Sequence, residues 1–283
     1  MTGIIKRNLL VFFRDKTSIF FSMLAPFIII GLYVLFLGNV YSSGYGENSK
    51  VFMDTWIMAG LLAVTSITTT MGAFGIMVSD RSKHLLKDFY SSPVSRSQLT
   101  GGYVISSYII GIILTLITFV LAEVYIVAGG GEILGIIPLL KTLGLLIITN
   151  FCNTAILFFM VTLLSSENAF ATASSIVSTL LGFITGIYLP VGNLPEAVQW
   201  IIKVFPPAHS VSLFRQVMME KPLAKAFEGD TAGKLVKVKE ELGVVLKFGT
   251  YEVPPVVSLL IIIGCGAVFF LLSIYTVSRK KKQ

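Results

Sequence analysis

Apolar runs of about 20 residues, long enough to cross a ~30 Å hydrocarbon layer, alternate with shorter polar stretches along this chain. They predict six membrane-spanning helices, at 19–37, 56–78, 103–128, 136–164, 169–188 and 256–277. Pro26 is expected to kink the first. Ahead of it, residues 3–16 set Ile5, Leu9, Phe12 and Phe13 on one side of a helical wheel, with Lys6, Arg7 and Arg14 elsewhere. That pattern predicts a helix lying in the membrane interface.

A charged island, 79–102, separates the second and third runs. It carries Arg81, Lys83, Lys87 and Arg96 against Asp80 and Asp88. Within it, Lys83 to Tyr90 makes about two helical turns, with Leu85, Leu86 and Phe89 as an apolar stripe. Pro93 closes the helix, because the residue before a proline is pushed out of the α region. Such a helix docks either on the headgroup layer or on a partner protein. Beyond the fifth run, Pro190, Pro195, Pro206 and Pro207 cut 190–255 into apolar pieces too short to cross, Ala197 to Val204 and Ser210 to Met219. These predict re-entrant or interfacial helices. A Lys/Glu-rich segment at 222–252 follows.

The chain is 54% hydrophobic and 13% charged, where a soluble domain carries about 25% charge. It reads as one all-α integral membrane domain over residues 1–283. The net charge of +7 sits beside the spans, where it meets lipid and fixes orientation; it does not indicate nucleic acid. Lys6, Arg7, Arg14, Lys16, the island and Arg279 to Lys282 put both termini and the island on the cytoplasmic side, with 190–255 outside. Cys152 and Cys265 lie in apolar runs, which favours packing over a disulfide or metal role. The first apolar run is too long for a signal-peptide core and reads as a retained span.

Catalytic chemistry is sparse. Glu123 and Lys141 fall near the outer ends of spans three and four, where they pair or reach the interface. His84 and His209 fall on opposite faces and offer no metal pair. Gly229 to Leu235 is one residue short of a phosphate loop and lacks its Ser/Thr. No cofactor and no enzymatic activity are expected of this chain alone. Small polar residues are plentiful instead: Thr65, Ser66, Thr68, Thr69 and Thr70 in span two, and Ser175, Ser178, Thr179, Gly182 and Gly186 in span five. The G-x-x-x-G spacing suits close helix packing. These faces serve helix packing, a mildly polar pathway wall, or a dimer seam that does both.

Four features, in order, carry a resemblance. Arg14-Asp15-Lys16 leads into the first span. Ser92-Pro93-Val94-Ser95-Arg96 is followed by Leu99 and Gly101-Gly102. Gly186 to Pro190 precedes Leu194-Pro195, Pro206-Pro207 and Arg215. The last span lies near the C-terminus. Together they resemble the type-2 ABC transporter permeases over nearly the whole chain. The chain departs from that pattern at Arg81-Ser82-Lys83, where an acidic-Gly pair is usual, and at 222–252, which has no counterpart.

The resemblance implies a half-transporter that pairs with a second permease, the same or related. A separate cytosolic ABC ATPase would hold ATP and Mg. Lys83, Leu85, Leu86, Lys87, Phe89, Tyr90, Pro93 and Arg96 would form the coupling element on that ATPase, beside an interfacial helix carrying Arg7, Phe12, Phe13 and Arg14. The expected activity is export of an apolar or amphipathic substrate (drug, antibiotic or lipid-like) from a bacterial cell membrane. Sodium or polysaccharide export is the alternative within the family. A non-transporting sensor or scaffold, or a membrane-embedded enzyme, is the alternative outside it.

Overall fold

The computed structural model describes residues 1–37, 49–85, 89, 94–164, 166–229 and 233–279. The chain begins with α1 (Thr2–Arg14), α2 (Lys16–Ser22) and α3 (Leu24–Leu32), which runs into a π-helical turn, Tyr33–Leu37. Four elements follow: α4 (Ser49–Ser82), α5 (Arg96–Ala128), α6 (Ile136–Leu163) and α7 (Glu167–Ile184). Then come α8 (Glu196–Val204), α9 (Pro206–Met218), α10 (Glu220–Ala226), α11 (Lys234–Glu241), a small antiparallel hairpin of β1 (Lys247–Phe248) and β2 (Tyr251–Glu252), and α12 (Pro255–Arg279).

Helices α4, α5, α6 and α12 are long and apolar enough to cross a membrane, and the bent pair at the start of the chain makes a fifth if counted as one span. The described residues therefore hold four or five such helices rather than the six expected. The fifth expected span is α7, whose opening Glu167 and Asn168 and run of Ser and Thr make it less apolar than those four. The first expected span is broken by 46° between α2 and α3. Pro26 lies in the first turn of α3. It lacks the N–H that would have bonded Ser22, so the helix stops at Met23 and restarts.

Helix α4 is the axis of the bundle. From Phe52 to Met71 its residues are buried without interruption, as a helix apolar or small on every face must be. Helices α5, α6, α7 and α9 pack around it, with α2 and α3 on a further side. Several of its hydroxyls are satisfied: Thr65 donates to the Leu61 carbonyl (2.9 Å) and Thr69 to that of Thr65 (2.6 Å), while Ser66 accepts from Asn153 of α6 (2.8 Å); the buried Thr70 hydroxyl has no partner among the described residues. At 1.5 Å per residue, α4 and α5 are each about 50 Å long, several turns more than the hydrocarbon layer needs. Those extra turns carry polar residues. This is why the helices extend beyond the apolar runs that announced them, to Ser82 in one case and back to Arg96 in the other.

Helix α1 runs parallel to the start of α5. Ile4 fills the space beside Gly102, where a Cβ would sit 2.6 Å from its Cγ2. Asn8 donates to the Ser106 hydroxyl (3.1 Å), and Phe12 shares a cluster with Ile110. Both helices advance four residues per contact, so one face of α1 is committed to protein. Leu10 and Val11 stay exposed on another. At the far end of the bundle, α9 starts with Pro206 at its first helical position, where the missing N–H costs nothing. It is wedged between α4, α6 and α12 and buried along most of its length. The preceding α8 leaves Trp200, Ile201 and Val204 exposed.

Candidate functional site

Three consecutive residues close α4, and about 100° separates neighbours around a helix, so they point in three directions. Asp80, only 4% exposed, accepts both guanidinium nitrogens of Arg7 from α1 and the Tyr103 hydroxyl of α5 (2.6 Å). Arg81 donates to the carbonyls of Leu164 (2.8 Å) and Val161 (3.4 Å), capping the C-terminal end of α6, where a cation is favoured by the helix dipole. The Ser82 hydroxyl lies 2.6 Å from the Glu167 carboxylate, the first residue of α7. One turn of α4 thus holds α1, α5, α6 and α7. The hydrogen bond from Arg7 to Asp80, with their opposite charges, raises the Arg7 pKa against the contrary pull of burial.

The island continues directly beyond this turn. His84 adopts φ 58°, in the left-handed region that few non-glycine residues visit, and this stops the α4 ladder. Leu85 and Phe89 are helical and half-buried. The Phe89 ring lies under the Arg7 guanidinium, 5.7 Å from its centre. A side chain of the expected coupling stripe therefore touches the arginine that grips α4. Lys83 is exposed, and Leu86, Lys87, Tyr90 and Pro93 lie outside the described residues. The motif end Ser95-Arg96 has a physical account. Ser95 accepts from the Gln98 N–H and Gln98 returns the bond to the Ser95 N–H, each at 3.3 Å, a capping box that starts α5. Asp15 does the same for α2: bonds from the Ser18 hydroxyl and the Ser18 and Thr17 N–H groups hold its carboxyl low.

The small-residue face of α7 divides in two. Ser175 and Thr179 are exposed, and their hydroxyls bond the carbonyls of Ala171 and Ser175 on their own helix; Ser178 is half-buried. The face offers methyl and methylene groups rather than free donors. Gly182 and Gly186 are used within the chain. A Cβ on Gly182 would fall 1.9 Å from the Tyr188 ring, which folds back over it. Gly186, at φ 63°, ends α7: its N–H bonds the Phe183 carbonyl, and the Ile187 N–H bonds that of Gly182, a Schellman turn that glycine adopts without strain. The G-x-x-x-G spacing therefore serves a helix stop and an aromatic lid.

At the far end, Arg215 of α9 is fully enclosed. Its guanidinium stacks 4.6 Å from the Trp56 ring centre and donates to the Leu242 carbonyl (2.9 Å), which also accepts from the Trp56 indole (2.7 Å). The 222–252 segment thus supplies the carbonyl that holds this arginine. Pro190 and Pro195 precede the 3₁₀ turn Val191–Asn193 and α8, and Pro206-Pro207 opens α9. Glu123 accepts the Leu134 N–H (3.3 Å), so it turns into the loop after α5. Asp54, just ahead of the expected second span, is buried in α4; only the extra turns of the helix reveal its burial. Asn8 was missed for a different reason, as a polar residue on a face judged by its apolar members.

Two curated relatives both carry the name Nodulation protein J. The one from Rhizobium meliloti (strain 1021) is 29% identical over 87 residues, 31% of this chain and 33% of that protein. The one from Rhizobium leguminosarum bv. viciae is 26% identical over 198 residues, 68% of this chain and 73% of that protein. The chain thus spans about a third of the first relative and nearly three-quarters of the second. The family model described as ABC-2 type transporter matches residues 2–219, reaching from the first residue of α1 through α9, and the chain belongs to that family.

Proposed function

We propose that this chain is the membrane subunit of an ATP-driven exporter. It works with a second permease and with a separate cytosolic ABC ATPase that holds the ATP and Mg. Both termini and the island face the cytoplasm. The island meets the ATPase through Lys83 to Tyr90, and movement there reaches the bundle through Phe89, Arg7 and Asp80. The exposed face of α7 meets the second permease. The substrate is apolar or amphipathic: several hydroxyls of the bundle interior are bonded to their own helix, and the buried Asp54 and half-buried Glu123 lie towards the far ends of their helices rather than midway.

The observation that carries this reading is the last turn of α4, which joins four helices at the start of the island, immediately before Lys83 to Tyr90. A lever needs a short, bonded path from the place pushed to the part that moves. The test is affinity co-purification from native-host membranes of the wild type, Phe89→Glu and Asp80→Asn. A P-loop ATPase is expected with the wild type and with Asp80→Asn, and lost from Phe89→Glu. In the Asp80→Asn complex, the nucleotide-dependent change in hydrogen exchange at α4 and α5 is expected to vanish while the ATPase still turns over. Absence of any ATPase under mild extraction overturns the proposal.

A further inference from the structure

A cleft of about 870 Å³ runs between the first half of α5 and the last half of α12, with α6 as its floor and the last turns of α4 at its end. Its lining is segregated. Arg96, Ser97, Thr100 and Ser278 border it where the island lies, while deeper in the lining is mostly apolar, with Ile105, Phe151, Phe158 and Ile274 outweighing the hydroxyls of Tyr108 and Thr154. No Asp or Glu borders it among the described residues. Along α5 it reaches from Arg96 to Tyr108, about 18 Å at 1.5 Å per residue. One leaflet of a ~30 Å hydrocarbon layer is about 15 Å deep. The cleft therefore has a cationic, hydroxyl-rich mouth at the level of a headgroup and an apolar shaft one leaflet deep. Pockets of this size, with few polar groups at one end, orient amphipathic ligands.

We propose that this cleft holds one anionic phospholipid from the leaflet at the island end. Its phosphate lies at Arg96 with hydroxyl donors from Ser97, Thr100 and Ser278, and one acyl chain lies between α5 and α12. Charge fits this occupant. The mouth carries Arg96 and the Arg81 that caps α6, and α12 ends on Arg279, with Lys280 to Lys282 next in the sequence; clusters of this kind near a membrane surface recruit anionic lipid. The site uses neither the exposed face of α7 nor the far-end clamp; Arg96 alone is shared with the residues expected to meet the ATPase.

The test is native mass spectrometry of the purified full-length chain, released from nanodiscs holding equal phosphatidylglycerol and phosphatidylcholine of identical acyl chains. The wild type is expected to retain one phosphatidylglycerol in preference to phosphatidylcholine. Arg96→Gln removes one cationic contact and is expected to lower that retention about fivefold, the size of a single basic residue's effect at an anionic surface. Ile274→Trp changes a half-exposed side chain, fills the shaft, and is expected to exclude both lipids from the site. Lys237→Gln, on the exposed surface of α11, serves as the control, and thermal melts check that each variant is folded. Equal retention of the two lipids by the wild type, or undiminished phosphatidylglycerol in folded Arg96→Gln and Ile274→Trp, overturns the proposal. Retained phosphatidylglycerol that 10 mM inorganic phosphate displaces also overturns it, since the site would then read phosphate without the acyl chain.

Discussion

Asp80 shows how one side chain acquires several jobs. It carries three charge-assisted bonds, two from Arg7 and one from Tyr103, each of a kind worth about 1.5–3 kcal/mol when one partner is charged. Arg7 is one-third exposed, so water takes back part of that sum. Asp80→Ala should therefore destabilise the detergent-purified chain by roughly 2–3 kcal/mol. Tyr103→Phe, which removes one bond and leaves the ion pair, should cost roughly 1 kcal/mol. A double-mutant cycle of Asp80→Ala with Arg7→Gln in thermal melts checks the pairing, and additive losses would mean the pair is not coupled. His209 yields a pH prediction. Its Nε2 lies 2.8 Å from the Lys203 carbonyl, which can only accept, so Nε2 carries the proton and Nδ1 accepts from the Ser258 hydroxyl at 3.0 Å. Burial lowers its pKa. Above about pH 6.5, the ordinary value, the ring is neutral in both folded and unfolded chains. As pH falls below that, the unfolded chain takes up a proton that the folded one refuses, and stability declines until the lowered folded pKa is reached. Wild-type melting temperature should fall between pH 7.5 and pH 5, and His209→Gln should flatten that part of the profile. From the sequence, Asp80 was one counter-charge in an island and His209 an isolated histidine. Their partners lie 73 and 49 residues away, beyond the reach of any local pattern.

At the scale of elements, hydropathy and proline placement carried most of the reading. Helices α4, α5, α6 and α12 fall on apolar runs, and α8 and α9 fall on the two short pieces expected between prolines. What spacing could not decide is which neighbour a small residue is small for. Gly182 and Gly186 stand four apart, as in a helix–helix seam, yet one lies under Tyr188 and the other turns the chain left-handed. Gly182→Ala should therefore act on the fold of the single chain. A Cβ 1.9 Å from the ring forces Tyr188 aside, at about 1–3 kcal/mol for an overpacked site. The loss should appear as a lower melting temperature at unchanged dimer fraction, and Tyr188→Leu in the same chain should restore most of it. A drop in dimer content with no change in melting would return Gly182 to an intermolecular seam. The exposed Ser175 and Thr179, whose hydroxyls are already bonded, are the part of that face left for another helix.

In the whole molecule, α4 is gripped at both ends by different chemistry. At the island end the grip is an ion pair with hydrogen bonds open to the coupling segment. At the far end it is a buried cation with no carboxylate bonded to it among the described residues: Arg215 is held by the Trp56 ring and backbone carbonyls. Desolvating a guanidinium costs several kcal/mol, while a buried cation–π contact returns about 2 kcal/mol and a charged hydrogen bond about 1.5–3 kcal/mol. The two sides nearly cancel, so Arg215 adds little to global stability. What it contributes is connection, since it ties α9 to the Leu242 carbonyl of the late segment and lies beside Gly60, Gly186 and Gly243. Arg215→Met keeps an apolar stem and can leave a thioether against Trp56 but removes the charge and every donor. The expected outcome is a melting temperature close to wild type and co-purification of the ATPase unchanged. Hydrogen exchange at residues 186–188 and 242–246 should accelerate about tenfold, the equivalent of one lost bond of ~1.4 kcal/mol, with no change at 103–107. Acceleration at both ends would mean that α4 transmits a disturbance along its whole length. Confinement to the far end would mean that the two grips are separate, and that a push at the island reaches the far end only by moving α4 as a body.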